Sequence, residues 1–433
     1  MTSNLFRKPF SLSSKKLRHN SHNAGGSHIS ENGYSESTPL LPQSNVMATS
    51  KAEQWSYQMY HAARQIYLHN YIHGLLIFLL PAIVSSLVHC PAKVRFTLNF
   101  LAIIPLASLL EFYLEEFCAK QRLILGGILA GVLGNGIELI IGVVAICNDQ
   151  ILIVQDAILG SLLFNLVLVT GLCCVAGGVR YQEQHFAIPI ISSLSGFAMI
   201  LVAMLLTPTA LATVALSGND IDHITEHKRI LSSGSAIIFL VTYGFYLLFQ
   251  LRTHASLFES SLVEEEFSSD MTCEERNSTL KPLIAVILYL VTAGFASWCV
   301  VLLFQAIPEV VEKSSLSRTT IGFILFPFLG GAGSAIALMT VSFRGKQDLA
   351  LGCIVGNVIN ITLFIVPVLV IVGRVVGNEL SLYFGYVEMV AVLISSLMVV
   401  LLLQNGRSTY FDGLLLLGLY TMVIMAVVVL PHE

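Results

Sequence analysis

Hydrophobic residues fall in long runs along this chain, and polar residues collect between the runs. From residue 71 onward eleven apolar segments follow one another: 71–89, 94–117, 123–147, 151–177, 186–209, 231–251, 282–306, 319–343, 347–373, 382–403 and 411–430. A helix needs about 20 apolar residues to cross the hydrocarbon core of a bilayer, and most of these runs reach that length. Lipid offers no hydrogen bonds, so a backbone inside it must satisfy its own groups; each run therefore predicts a helix. Most connections are a few residues long. Two are longer: 210–230, with "NDIDHITEHKR", and 252–281, with Glu259, Glu264, Glu265, Glu266, Asp270, Glu274 and Glu275.

The first 50 residues break the pattern. They are rich in Ser and Asn and carry Arg7, Lys8, Lys15, Lys16 and Arg18. Such a stretch buries too little apolar surface to fold, so a disordered tail is expected. It has no apolar h-region and does not read as a cleaved signal peptide. Within it "ESTPLL" (36–41) has the acidic-dileucine form of a sorting signal. The expected organisation is a cytosolic tail over 1–65, a first transmembrane half over 66–251, an acidic cytosolic loop over 252–281 and a second transmembrane half over 282–433.

Composition agrees. The chain is 55% hydrophobic and only 12% charged, against roughly 25% charged in a soluble domain. A net charge of −4 gives no reason to expect a nucleic-acid partner. The eight cysteines are scattered with no CxxC pair, and most lie inside apolar runs, where they read as small hydrophobes. No nucleotide loop, nucleophile elbow or cofactor motif is present, so neither an enzyme nor an ATP-driven pump is expected. The fold class is an all-α polytopic membrane protein.

Lys and Arg in short loops set the orientation. With the N-terminus cytosolic, the cytosolic loops hold Lys120, Arg122, Arg180, Arg344, Lys346 and Arg407, while the opposing loops 148–150 and 374–381 hold only Arg374. The sequon at Asn277 would then face the cytosol and stay unmodified.

The chain also repeats itself. Glu138 is followed 22 residues later by Gly160, which opens "GSLLFN", and Ser334 is followed 22 residues later by Gly356, which opens "GNVIN". One extra helix followed by two five-helix repeats fits the eleven segments. An odd number of spans per repeat forces the copies into opposite topology, and inverted repeats with Gly-interrupted helices mark secondary transporters. Close helix packing alone would explain the glycines, but not the matched spacing together with polar groups.

Those polar groups are the candidate site. Glu138 lies mid-span, where a carboxylate costs about 2.5–3.5 kcal/mol and calls for a partner. Asn135 precedes it by one turn, and Ser161 and Asn165 share a face of the next helix. Ser334, Asn357 and Asn360 occupy related places in the second half. Oxygen-only ligands suit hard cations such as Ca²⁺, and a carboxyl also takes a proton; Glu138 is the expected metal-binding group. A polar network that merely holds helices together is the plainer alternative. Glu111, Asp156 and Glu388 are auxiliary acids within apolar runs, whereas Glu115 and Glu116 sit near an interface. His223 and His227 have ligand spacing, but in a polar loop they read as solvated.

At these residues the sequence resembles the calcium/cation–proton exchanger (CAX) family, especially its fungal vacuolar members. "NFLAIIPLA" (99–107), "GNGIEL" (134–139), "ILGSLLFNLVLVTGLCCVAGG" (158–178) and "KQDLALG" (346–352) carry the resemblance, which covers about residues 70–430. It implies a vacuolar-membrane antiporter that exchanges Ca²⁺, often also Mn²⁺, for lumenal protons, with no bound cofactor. Gly134, Asn135 and Glu138 match the first family motif. The second motif, normally Gly-Asn-Ala-Ala-Glu-His, is replaced by "GGAGSA" (330–335), and Glu111 and Asp156 stand where small neutral residues are usual. The retained acid is thus single. A Ca²⁺ exchanger, an Na⁺ or K⁺/proton exchanger and a transport-weak regulatory paralogue all stay open, as does assembly into a homo-oligomer. On this reading Ser334→Glu would raise divalent affinity.

Overall fold

The computed structural model describes residues 71–88, 90–119, 121, 123–185, 188–215, 221–253, 281–314 and 316–429. The tail with its dileucine stretch, nearly all of the acidic loop with its sequon, and the side chains of His223 and His227 lie outside the described residues.

A tight helical turn, Tyr71–Phe78, leads into α1 (Leu79–Leu87). Next come α2 (Ala92–Cys118), α3 (Leu123–Leu133), α4 (Gly136–Cys147), α5 (Ile151–Arg180), α6 (Ile188–Ala215) and α7 (Ile221–Leu248). The second half holds α8 (Pro282–Lys313), α9 (Arg318–Phe343), α10 (Gln347–Val376), α11 (Tyr386–Leu403) and α12 (Tyr410–Val429). Among the described residues, eight helices are long and apolar enough to cross a membrane, and the pair α3–α4 makes a ninth. Shorter apolar stretches, Gly74–Ser86 and Ser195–Ala210, lie in the α1 region and in α6.

The run 123–147, expected as one helix, is broken. It bends by 42° between α3 and α4. Gly134 and Asn135 fall at the break, and both are weak helix formers, Gly for its backbone freedom and Asn for its competing side chain. Asn135 leaves helical geometry at φ −101°, ψ 43°. The corresponding stretch of α9 passes through Gly330 and Gly331 unbroken.

Burial separates inner helices from outer ones. In the most apolar stretch, 83% of α5 and 72% of α10 is buried, against 17% of α7 and 28% of both α8 and α12. The outward faces of α7 and α8 are apolar (Ile237, Val241, Phe245, Leu290 and Trp298 are exposed), as lipid requires.

Packing partners come in matched sets. α2 packs along α8, and α6 along α11. α5 crosses α9 while α10 crosses α4. α12 lies on α5 while α7 lies on α10, and α4 meets α8 while α2 meets α9. The α5–α9 crossing is very close: a Cβ on Gly160 would stand 2.1 Å from the Phe323 carbonyl oxygen, and one on Gly322 would stand 2.8 Å from the Ile153 oxygen.

The loops gather at two ends. At one, a two-stranded ribbon pairs β1 (Gln184–His185) with β2 (Arg407–Ser408), the Gln184 amide donates to Ser342 O, and the Arg180 guanidinium stacks over Phe343. A Cβ on Gly345 would touch the Tyr181 ring there. At the other, Asn378 donates to Ile146 O, Gln155 to Ser381 O, and Arg374 to Ser233.

Candidate functional site

Where α3 ends and α4 begins, the helix gives up part of its hydrogen-bond ladder. Tyr289 of α8 fills in: its hydroxyl donates to Leu133 O at 3.3 Å and lies against Gly136, where a Cβ would stand 2.6 Å from it. A broken helix aims backbone groups and terminal dipoles into the interior, as in the discontinuous helices of transporters.

Glu138, in the first turn of α4, extends to the middle of α9. A Cβ on Gly330 would sit 2.5 Å from Glu138 Oε1, so a bare glycine backbone is what makes room for the carboxyl. The carboxyl also lines a cleft together with Ser161, Ala157, Phe326, Ile361 and Leu369. The cleft is otherwise apolar, which raises the worth of each polar group in it. Asn135 is 8% exposed, and its side-chain nitrogen has no protein partner.

Three wider turns fall beside this cleft. α5 widens over Phe164–Val169, α9 over Ile321–Leu325 and α10 over Ile361–Ile365. Such π-type turns are rare and recur at functional sites because they re-aim side chains. In α5, Asn165 donates back to Ser161 O at 2.9 Å, and Asn357 of α10 reaches the Asn165 side-chain oxygen at 3.4 Å. Asn360 accepts from the Tyr243 hydroxyl at 3.1 Å. The amides of the two halves thus meet in one polar layer.

Of the auxiliary acids, Glu111 belongs to this neighbourhood. A Cβ on Gly333, one turn beyond Gly330, would lie 3.6 Å from Glu111 Oε2 and 3.5 Å from Ser108 Oγ. The Ser334 hydroxyl is in hydrogen-bonding reach of the Glu111 carboxyl, which interacts electrostatically with Glu138 and Glu115. Ser334 also donates to Gly331 O at 3.2 Å. Asp156 stands apart, at the crossing of α5 with Gly322, where it would meet a Cβ at 2.8 Å. Glu388 is 4% exposed and folds back over Gly385 at the start of α11. Among the described residues no group of three or more His, Cys, Asp or Glu side chains is placed to hold a metal ion.

What sequence alone missed is the bridging set. Tyr289 and Tyr243 lie within apolar runs, and only the fold brings them to the break and to Asn360.

A carboxyl at a broken helix, enclosed by two inner helices of a membrane bundle, defines a cation-handling membrane transporter. The chain belongs to the sodium/calcium exchanger protein family, whose model matches residues 92–252 and 284–429. It is 36% identical to the vacuolar calcium ion transporter of Schizosaccharomyces pombe, over 85% of this chain and 87% of that one. It is 32% identical to a Ca²⁺/H⁺ antiporter of Aphanothece halophytica, over 82% and 95%. The solved structure of native YfkE superposes with a TM-score of 0.68 at 25% identity, covering 83% of this chain and all of that one. The H⁺/Ca²⁺ exchanger CAX shares the fold, with a TM-score of 0.60.

Proposed function

We propose that this chain is a multi-pass antiporter of the vacuolar membrane that carries Ca²⁺ into the lumen in exchange for protons. The observation that carries the reading is Glu138: an ionisable group at a helix break, opposite a glycine, in a cleft enclosed by the inner helices. The vacuolar and Ca²⁺/H⁺ relatives support the compartment and the cargo.

Mechanistically, a carboxyl in low dielectric needs a counter-ion or a proton. Glu138 takes either, and that mutual exclusion couples the two fluxes. Ser161, which shares the cleft with Glu138, and the nearby amides of Asn135, Asn165, Asn357 and Asn360 are the proposed source of neutral oxygens, in keeping with the hard-cation preference for oxygen. The reciprocal packing of α2–α7 with α8–α12 supports two inverted five-helix repeats after one extra helix, eleven spans in all. Such repeats rock about a midplane site to give alternating access. The acidic 252–281 loop joins the halves, and the N-terminus is cytosolic.

The test is uptake into acid-loaded vesicles holding the purified protein, with Ca²⁺, Mn²⁺, Na⁺ and K⁺ compared. Proton-coupled Ca²⁺ uptake is expected, and Glu138→Gln should abolish it while leaving the protein monodisperse. Wild-type uptake by that variant removes Glu138 from the mechanism.

A further inference from the structure

The second family carboxylate is missing from α9, where Ser334 stands 196 residues after Glu138. A single carboxylate leaves a divalent ion with an uncompensated charge in an apolar cleft. That imbalance favours monovalent cargo, in tension with the calcium relatives. The fold offers a way out on a different helix.

We infer that Glu111 of α2 supplies the second carboxylate of the cation site, reaching from outside the repeat motifs to the place that Ser334 leaves vacant, and so keeps the site divalent. The inference rests on the Ca²⁺/proton reading above and names how that site reaches its charge. Four observations carry it. Glu138 and Glu111 approach the same face of α9, at Gly330 and Gly333. Those positions are one turn apart, about 4.5 Å along the axis. Two carboxyls that reach neighbouring turns of one helix can both turn toward a single Ca²⁺, whose oxygen ligands stand at about 2.3–2.6 Å. Ser334, at the place of the missing acid, sits within reach of the Glu111 carboxyl. Finally, the Asn135 side chain, one turn before Glu138, is buried with an unpartnered amide nitrogen, a donor that can hold a carboxylate or water oxygen at the site rather than the ion itself. Gly333 matters for the same reason as Gly330: a side chain there would press on Ser108 and Glu111. Glu115, a turn further along α2, interacts electrostatically with Glu111.

On this view Ser334→Glu alone does not complete a deficient site. It places a third carboxyl beside two, and divalent transport should suffer rather than gain.

The experiment compares three proteins in acid-loaded vesicles, each checked for monodispersity: wild type, Glu111→Gln, and the double variant Glu111→Ala/Ser334→Glu, which moves the acid from α2 to α9. The expected result is loss of Ca²⁺ uptake in Glu111→Gln, with the Ca²⁺-to-K⁺ uptake ratio lowered, and recovery of Ca²⁺ uptake in the double variant. Wild-type Ca²⁺ affinity in a folded Glu111→Gln protein overturns the inference. So does a folded double variant with no Ca²⁺ uptake, and this arm decides the matter if the single variant does not fold. Failure here is separable from failure of the parent reading. If Glu138→Gln is dead and Glu111→Gln is not, only the relocation is wrong; if wild type moves no Ca²⁺, the function is.

Discussion

At the scale of single residues, glycines decide where charge can go. Gly330 and Gly160 are both small residues at helix contacts, yet their neighbours differ. A methyl on Gly330 meets the end of the Glu138 side chain, which can swing away. A methyl on Gly160 meets the Phe323 backbone at 2.1 Å, which cannot move without parting α5 from α9. Gly330→Ala should therefore fold and reach the membrane but lose most Ca²⁺ uptake, because the carboxyl is displaced from the cleft. Gly160→Ala should fail earlier, with overpacking of about 1–3 kcal/mol or more seen as poor yield and a lowered thermal midpoint in detergent. Equal behaviour of the two variants would show that Gly330 is a packing glycine only. The sequence exposed the glycines and Glu138 through their spacing. It could not say which glycine faces a carboxylate and which a backbone, since that depends on the register of helices nearly two hundred residues apart.

At the scale of elements, the break between α3 and α4 is the most informative departure from what the hydrophobic pattern predicts. Apolar periodicity sees 123–147 as one span, because Gly134 and Asn135 interrupt neither its length nor its hydrophobicity. The break also depends on a partner, Tyr289, which supplies a donor for the Leu133 carbonyl. Run lengths predicted most other boundaries within a few residues, because lipid imposes helix on any long apolar run. The wide turns in α5, α9 and α10 are illegible in the sequence, since no local signal within those apolar runs marks them. Tyr289→Phe keeps the ring and removes the donor. An unsatisfied buried carbonyl costs about 1–3 kcal/mol, so the break should tighten toward regular helix and carry Asn135 and Glu138 out of register. The expected outcome is a modest drop in thermal midpoint and a several-fold fall in Ca²⁺ uptake. An unchanged uptake rate would mean that the break holds without its tyrosine.

At the scale of the whole molecule, the two ends carry different chemistry. Arg180, the Arg344–Lys346 turn and Arg407 come from three loops far apart in sequence. The fold collects them at one end, through the β1–β2 ribbon, the Arg180–Phe343 stack and the Arg407–Glu183 ion pair at 3.7 Å. The opposite end gathers the 146–150 turn with the 378–384 segment. Basic loops stay on the cytosolic side during insertion, so the ribbon end should face the cytosol and the Asn378 end the vacuolar lumen. Cys147 is exposed at that second end, which gives a direct test. In an otherwise cysteine-free protein, a membrane-impermeant maleimide added to intact, right-side-out vacuoles should label Lys346→Cys and spare Cys147. After the vacuoles are opened, both should react. In that orientation protons would reach the cleft from the 146–150 end and Ca²⁺ from the ribbon end. If Cys147 is labelled in sealed vacuoles while Lys346→Cys is protected, the bundle sits the other way up. Net Ca²⁺ flux would still run into an acidic lumen, because the proton gradient sets its direction, and only the assignment of the ribbon end to the cytosol and of the Asn378 end to the lumen would have to be reversed.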